Sequence, residues 1–328
     1  NSCSSLLTAS ITQPPVLIVT NINNNVSCFG GNDGGISLTV VGGTPAYSFN
    51  WGGGITTQNR NNLSGGTYTV TVTDANTCTH VTPISVYQPN AVNIVTAVTN
   101  VSCNTQNNGA INGTVTGGTG AYNYNWSNGN TSQNINSLSI GNYSVSVTDA
   151  KGCSASASAV IAQPALLSTS LTASNVACFG GNSGSILSNT SGGTAPYNYN
   201  WSDGNNGVNR SALAAGNYSV TIVDQNGCSA SASVTITQPS TPVNITVDNT
   251  SSIACYGNNT GTINITASGG VPGYSYLWSD NSNLEDRTNM LGGTYFVTAS
   301  DQQGCVATAS ATINQPLSPL SVDTIIST

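Results

Sequence analysis

Apolar and small polar residues alternate along much of the chain, in short bursts separated by turn residues. Val16–Ile22 is an apolar, β-branched run that suits a first strand. The Gly-rich stretch Phe29–Gly35 reads as a turn into a second strand, Ile36–Val41, which stops at Gly42-Gly43. In Tyr47-Ser48-Phe49-Asn50-Trp51 a period of two puts three aromatics on one face and polar groups on the other. The cleanest alternation is Gly66–Asp74, where Tyr68, Val70 and Val72 interleave with threonines. Asp74-Ala75-Asn76 then turns the chain into a last strand ending at Gln88-Pro89. Six or seven short strands, each with one inward face, predict a two-sheet sandwich.

The same pattern returns along the chain. Gln-Pro recurs at Gln13, Gln88, Gln163 and Gln238, 75 residues apart, and after 77 more at Gln315. Cysteines keep this phase as Cys28 and Cys78, Cys103 and Cys153, Cys178 and Cys228, Cys255 and Cys305, each pair 50 apart. Counted from the first cysteine of a copy, a Tyr sits at +19 (Tyr47, Tyr122, Tyr197, Tyr274) and a Trp at +23 (Trp51, Trp126, Trp201, Trp278). Another Tyr sits at +40 (Tyr68, Tyr143, Tyr218, Tyr295) and an Asp at +46 (Asp74, Asp149, Asp224, Asp301). The chain therefore divides into a preceding copy's tail (1–14), repeats 15–89, 90–164, 165–239 and 240–316, and a following copy's first strand (317–328). Cys3 stands ten residues before Gln13, as Cys78 stands before Gln88. These in-phase tails predict a polypeptide that continues on both sides.

Composition narrows the function. Only 5% of residues are charged, and the net charge is −7. No basic stripe exists for nucleic acid or anionic membranes, and no apolar run of about 18 residues exists to cross a bilayer. The only histidine, His80, and the only glutamate, Glu285, lie in different repeats without counterparts in the others, so acid–base catalysis has no converging groups and no enzyme is expected. No cofactor is expected. Without a Cys-x-x-Cys pair, neither is a zinc site.

Cysteine pairs at fixed phase point to disulfides and an oxidising compartment. Pairing inside each repeat is the expectation. It carries a geometric tension, because the first turn and the last hairpin of a seven-strand sandwich lie at opposite ends, roughly 20 Å apart for a six-residue strand. Either Phe29–Gly35 runs back along the module, or a strand is missing; a Cys78–Cys103 bridge between copies is the other option. The Trp at +23 could offer a sugar a stacking platform, but its alternation with tyrosines reads as core. The Tyr at +40 looks like a tyrosine corner. The Asp at +46, with few acidic neighbours, reads as a turn cap rather than a calcium ligand, and Asn32-Asp33 is a weaker calcium candidate still. Arg60, Arg210 and Arg287 share the +32 position with Ile135, which suggests a stem packed along the surface. Asn-x-Ser/Thr sequons such as Asn25, Asn112, Asn125 and Asn200 occur about as often as this composition predicts, so their number carries no signal. Asp323-Thr324-Ile325 is similar to an acidic-hydroxyl O-glycosylation signal.

The runs Gly-Gly-Thr-Ala-Pro-Tyr-Asn-Tyr-Asn-Trp (192–201) and Gly-Asn-Tyr-Ser-Val-Thr-Ile-Val-Asp-Gln-Asn-Gly-Cys (216–228) resemble the SprB-type repeat of large surface adhesins in gliding Bacteroidota. The first repeat departs at Thr77, where later copies have Gly before the cysteine. The resemblance implies tandem immunoglobulin-like repeats, arranged end to end, in a secreted, surface-anchored protein. Two functions fit: a structural shaft of an adhesin or extracellular filament, or a multivalent carbohydrate-binding module. Further copies of the repeat are the expected partners, with surface glycans as candidate ligands.

Overall fold

A computed structural model describes residues 4–322; Cys3 and the Asp323-Thr324-Ile325 signal lie outside them. The described residues are all-β, with 24 strands and no helix. The chain divides into two units, Asn1–Gln163 and Pro164–Thr328, each holding two repeats.

Every repeat is an immunoglobulin-like sandwich of six strands. In the first they are β1 (Ile18–Asn24), β2 (Gly34–Val41), β3 (Ser48–Asn50), β4 (Arg60–Leu63), β5 (Gly66–Thr73) and β6 (Thr79–Val86). One sheet has the order β1-β2-β4 and the other β3-β5-β6, all neighbours antiparallel, and the other three repeats reproduce this order. Six strands resolve the sequence's choice of six or seven: there is no extra strand, and of Phe29–Gly35 only Gly34 and Gly35 join β2, the rest staying a loop.

Alternation builds the core. On β5, Val70 and Val72 are fully buried, while Thr67 and Thr69 are exposed and Thr71 is half-buried. Val145 and Val147, Val220 and Ile222, and Val297 and Ala299 repeat the arrangement. The opposite sheet answers with one isoleucine per repeat, Ile36, Ile111, Ile186 and Ile263, each at most 1% exposed. The four cores are separate clusters.

The Trp at +23 belongs to the core cluster in the last three repeats and packs against it in the first. Its indole N–H donates to the carbonyl six residues on: Thr57, Ser132, Gly207 and Leu284. Trp126, Trp201 and Trp278 are buried, but Trp51 is only half-buried. The cause is local. In later repeats a serine follows the Trp and its N–H extends the pairing to β5's counterpart, whereas Gly52 does not, and β3 is one residue shorter. The Tyr at +40 donates to the carbonyl four residues upstream in every repeat, the bond a tyrosine corner makes. The Tyr at +19 donates to the first carbonyl of the Gly-Gly pair.

Replacing Trp126 by Ala should cost about 3–5 kcal/mol by emptying a filled core site. The same change at half-buried Trp51 should cost less. Urea unfolding of the two variants, followed by intrinsic fluorescence of the remaining tryptophans, would show the difference.

Candidate functional site: the junction between repeats

The direction of the strands gives each repeat two distinct ends. After β1, the Val26 N–H donates to the Tyr87 carbonyl just beyond β6, so β1 and β6 finish at the same end. The loop carrying Cys28 therefore sits where the chain leaves the repeat. The β5–β6 hairpin carrying Cys78 sits at the opposite end, where the chain enters.

At the exit end the linker is held by side chains. The Tyr87 N–H donates to Asn25, and the Gly30 N–H donates to Oε1 of Gln88 at 3.0 Å. Asn100 and Gln163 do the same in the second repeat, Asn175 and Gln238 in the third. In the fourth, Gln315 accepts from Gly257 at 3.4 Å, and the Asn is absent. The recurring Gln is thus a tether between linker and cysteine loop. Its recurrence was visible in the sequence, but its partner, a backbone N–H 58 residues upstream, was not.

At the entry end the Gly-Gly pair grips the incoming linker. Gly43 N–H donates to the Pro15 carbonyl at 2.7 Å, and its counterparts bind Asn90, Ala165 and Thr241. Gly42, at φ +75°, lies so close to the linker that a Cβ there would fall 1.9 Å from the Val16 carbonyl oxygen. Only glycine allows this approach.

The Asp at +46 locks the same end. One oxygen of Asp74 accepts from the Cys78 and Asn76 N–H groups of its own turn, and the other from Thr44 beyond the Gly-Gly pair. Asp149, Asp224 and Asp301 repeat all three bonds. All four carboxylates are buried, with exposures of 3–5%. The role is wider than a turn cap, because the carboxylate joins two loops. For Asp74 and Asp301 the N–H of Thr44 or Val271 is the largest influence and lowers the pKa. For Asp149 and Asp224 burial is the largest and opposes ionisation, but the N–H donors of both loops together outweigh it and the pKa again falls.

Cysteine pairing departs from expectation. Cys28 bonds Cys153 and Cys178 bonds Cys305, with Cα–Cα distances of 5.5 and 5.6 Å. The first cysteine of one repeat thus joins the second cysteine of the next. Cys103 and Cys228 are also disulfide-bonded. Cys78 and Cys255 are exposed free thiols. Pairing inside a repeat is overturned for a geometric reason. The eight residues of β6 separate the two loops by roughly 26 Å, whereas a disulfide needs Cα atoms within about 7 Å. The Cys78–Cys103 alternative fails too, since Cys78 is at the entry end. Exit end meets entry end at the junction inside each unit, with the Cys153 sulfur 3.3 Å from the Ser27 carbonyl and the Cys305 sulfur 3.4 Å from that of Ala177.

A cleft of about 670 Å³ lies beside the first junction, lined by Asn25, Asp33, Tyr87, Gln88, Thr119 and Lys151 among others. Asp33 accepts from the Ser27 N–H there, and Ser27, through its hydroxyl first and its N–H second, holds the Asp33 pKa down. The corresponding cleft between repeats 3 and 4, about 390 Å³, has Gln303 in place of Lys151. Ser183 takes the bond that Asp33 makes. The scaffold is common to both clefts and the charged lining is not.

The arginines at +32 do more than pack their stems. Their guanidinium groups lie 5.4–5.6 Å from the Trp ring centroids. Arg210 and Arg287 also form two-pronged pairs with Asp203 and Asp280. The Arg210 guanidinium is the main cause holding the Asp203 carboxyl down, as Arg287 is for Asp280. Ile135 fills the same place with a buried side chain, so the position serves packing over the tryptophan.

Residues 20–56, 95–131, 170–206 and 247–283 match the SprB repeat family, which is found in Bacteroidota surface proteins. No curated protein matches the sequence. Among solved structures, the chain is similar to the three N-terminal domains of the highly immunogenic outer capsid protein of bacteriophage RB49, at 14% identity over 92% of this chain and 100% of that one, TM-score 0.37. It is also similar to the eight N-terminal immunoglobulin domains of Down syndrome cell adhesion molecule, at 11% identity over 92% and 60%, TM-score 0.25, and to extracellular domains 3–5 of Drosophila OTK, at 12% over 60% and 85%, TM-score 0.28.

Trypsin can cut only after Arg60, Lys151, Arg210 and Arg287. In a non-reducing digest, peptide 1–60 should be linked to 152–210, and 152–210 to 288–328. Recovery of 1–60 joined to 61–151 would instead mean pairing inside the repeat. Acid gives a second test. The four buried aspartates have folded pKa values below the ordinary 3.8. The stability they contribute is fully present well above that value and is lost as pH falls through the depressed folded values. Melting temperature should therefore hold from neutral pH to about 4 and then drop. Replacing Asp149 by Asn should lower the neutral-pH melting temperature and flatten that drop.

Proposed function

We propose that this chain, an array of four SprB repeats, is the shaft of a secreted bacterial surface adhesin or extracellular filament and acts by spacing and stiffness, without catalysis. The observation that carries this reading is the disulfide from the exit loop of the first repeat to the entry hairpin of the second, and from that of the third to that of the fourth. A module that only had to hold a ligand would gain nothing from being bonded to its neighbour. A module that had to keep a fixed direction would. Beside that bond, the Gly-Gly grip and the Gln tether add two further restraints to each linker, and proline stiffens its start. Disulfides also suit an oxidising, extracellular setting.

The competing reading, a multivalent carbohydrate-binding array, would need the same recognition groups in each copy. Of the tryptophans that could have stacked on sugars, Trp126, Trp201 and Trp278 are buried and half-buried Trp51 packs against its core, and the junction clefts differ in their charged groups.

Small-angle scattering on the oxidised chain separates the two kinds of behaviour. A module of this size is roughly 30 Å across, so a shaft of four should reach on the order of 120 Å. A particle near half that length would overturn the shaft. Saturable glycan binding on an array, scaling with the number of repeats, would move the binding reading ahead.

A further inference from the structure

We propose that Cys78 and Cys255 are the open halves of the same inter-repeat linkage, and that each is made to bond a cysteine of opposite phase on another copy of this repeat. Cys78 is an entry-hairpin cysteine, equivalent to Cys153 and Cys305; Cys255 is an exit-loop cysteine, equivalent to Cys28 and Cys178. The inference does not depend on whether the array spaces or binds.

Three observations carry it. First, both thiols sit on loops whose shape is that of the bonded copies. Asp74 holds the Cys78 N–H as Asp149 holds that of Cys153, and the Cys255 carbonyl accepts from Asn258 in a turn like that of Cys103 and Gln106. The loops are already built for the bond. Second, both thiols are exposed beside open grooves. One, about 460 Å³, is lined by Gln13–Leu17, Cys78 and His80. The other, about 580 Å³, is lined by Cys255, Tyr256 and Pro316. At the bonded junctions the neighbouring repeat stands on the corresponding faces. Third, apolar side chains on the segments that lead to and from the four repeats lack cover. Leu6, Leu7 and Ile11 are 90–96% exposed, although they occupy the phase of Ala307–Ile313 strand residues in repeat 4. Leu320 and Val322 are 96% and 82% exposed, in the phase of a first strand. A sandwich of the same kind is what such strands complete. The partner is therefore a further repeat, presenting an exit loop to Cys78 or an entry hairpin to Cys255.

Forming each bond removes two protons and two electrons from two thiols. A small-molecule disulfide in the oxidising compartment accepts them and leaves as two thiols.

The test is a cysteine map of the protein taken from its source, with free thiols alkylated before a non-reducing digest. The isolated 328-residue chain is the control, and in it Cys78 and Cys255 should be fully alkylated while Cys28, Cys153, Cys178 and Cys305 are not. In the native material both alkylations should vanish. Cys78 should then be joined to a peptide with an exit-loop cysteine, and Cys255 to one with an Asp-x-x-Gly-Cys hairpin. A bond between Cys255 of one chain and Cys78 of another would also support the pairing and would place the further repeat on a second chain. Alkylation of either cysteine in the native material, a glutathione adduct, or a bond between cysteines of like phase would overturn it. Cys78→Ser should remove only the one link and leave the tryptic map of the other bonds unchanged.

Discussion

The first and last strands of each sandwich run in the same direction, and the rest of the structure depends on that constraint. A repeat whose β1 and β6 finish together has an entry end and an exit end. Everything that recurs at fixed phase can then be assigned to one or the other. The exit end holds the first cysteine and the Gln tether; the entry end holds the Gly-Gly grip, the buried aspartate and the second cysteine. Two cysteines 50 residues apart in sequence are a module's length apart in space, while two cysteines 125 apart are neighbours.

The junction gains its definition from short-range bonds rather than from charge. With 5% charged residues the chain has few ion pairs to use, and the two among the described residues brace a tryptophan inside a repeat. The linker is positioned by backbone N–H groups, by amide side chains and by the absence of a Cβ at Gly42. Each buried aspartate accepts three N–H bonds from two loops, which accounts for a charge inside a small module without a cationic partner. The disulfide adds a restraint on the unfolded chain. Closing a loop of 125 residues contributes about 5 kcal/mol in the chain-entropy model, a large addition for a module whose core is a handful of Val, Ile and Trp side chains.

Much of this was legible in the sequence because local and global signals agree. Alternation at Tyr68, Val70 and Val72 marks a strand with one buried face, and the internal repeat multiplies the signal fourfold. The aromatic positions and the turn at Asp74 followed from the same patterning. What was not legible were contacts whose partners are far along the chain. The distance between two loops depends on strand direction and count, and one strand more or fewer reverses the answer. That is why the tension between cysteine phase and sandwich geometry could be stated from sequence but was settled toward the wrong partner. The arginines misled for a related reason: Ile135 at the same position hides the guanidinium's pairing with Asp203 and Asp280, which lie seven residues away in a loop without strong pattern. Gln88 carried a signal, its strict recurrence beside proline, but nothing in the sequence names a glycine N–H as its partner.

The pairing also changes what pulling on the chain would do. Followed through covalent bonds, the shortest route from residue 4 to residue 322 runs to Cys28, crosses to Cys153, continues to Cys178, crosses to Cys305 and goes on to the end. Separations of 125 and 127 residues lie off that route. Tension applied at the ends is carried by the disulfides and three short segments, so most of each core is shielded from load. Extended, each bypassed stretch could otherwise add about 400 Å, at 3.3–3.6 Å per residue. Bonds inside a repeat would leave every linker as a single exposed strand between folded beads. Bonds between repeats turn the linker into one of two covalent connections, and a module too small to resist much force by its own core no longer has to.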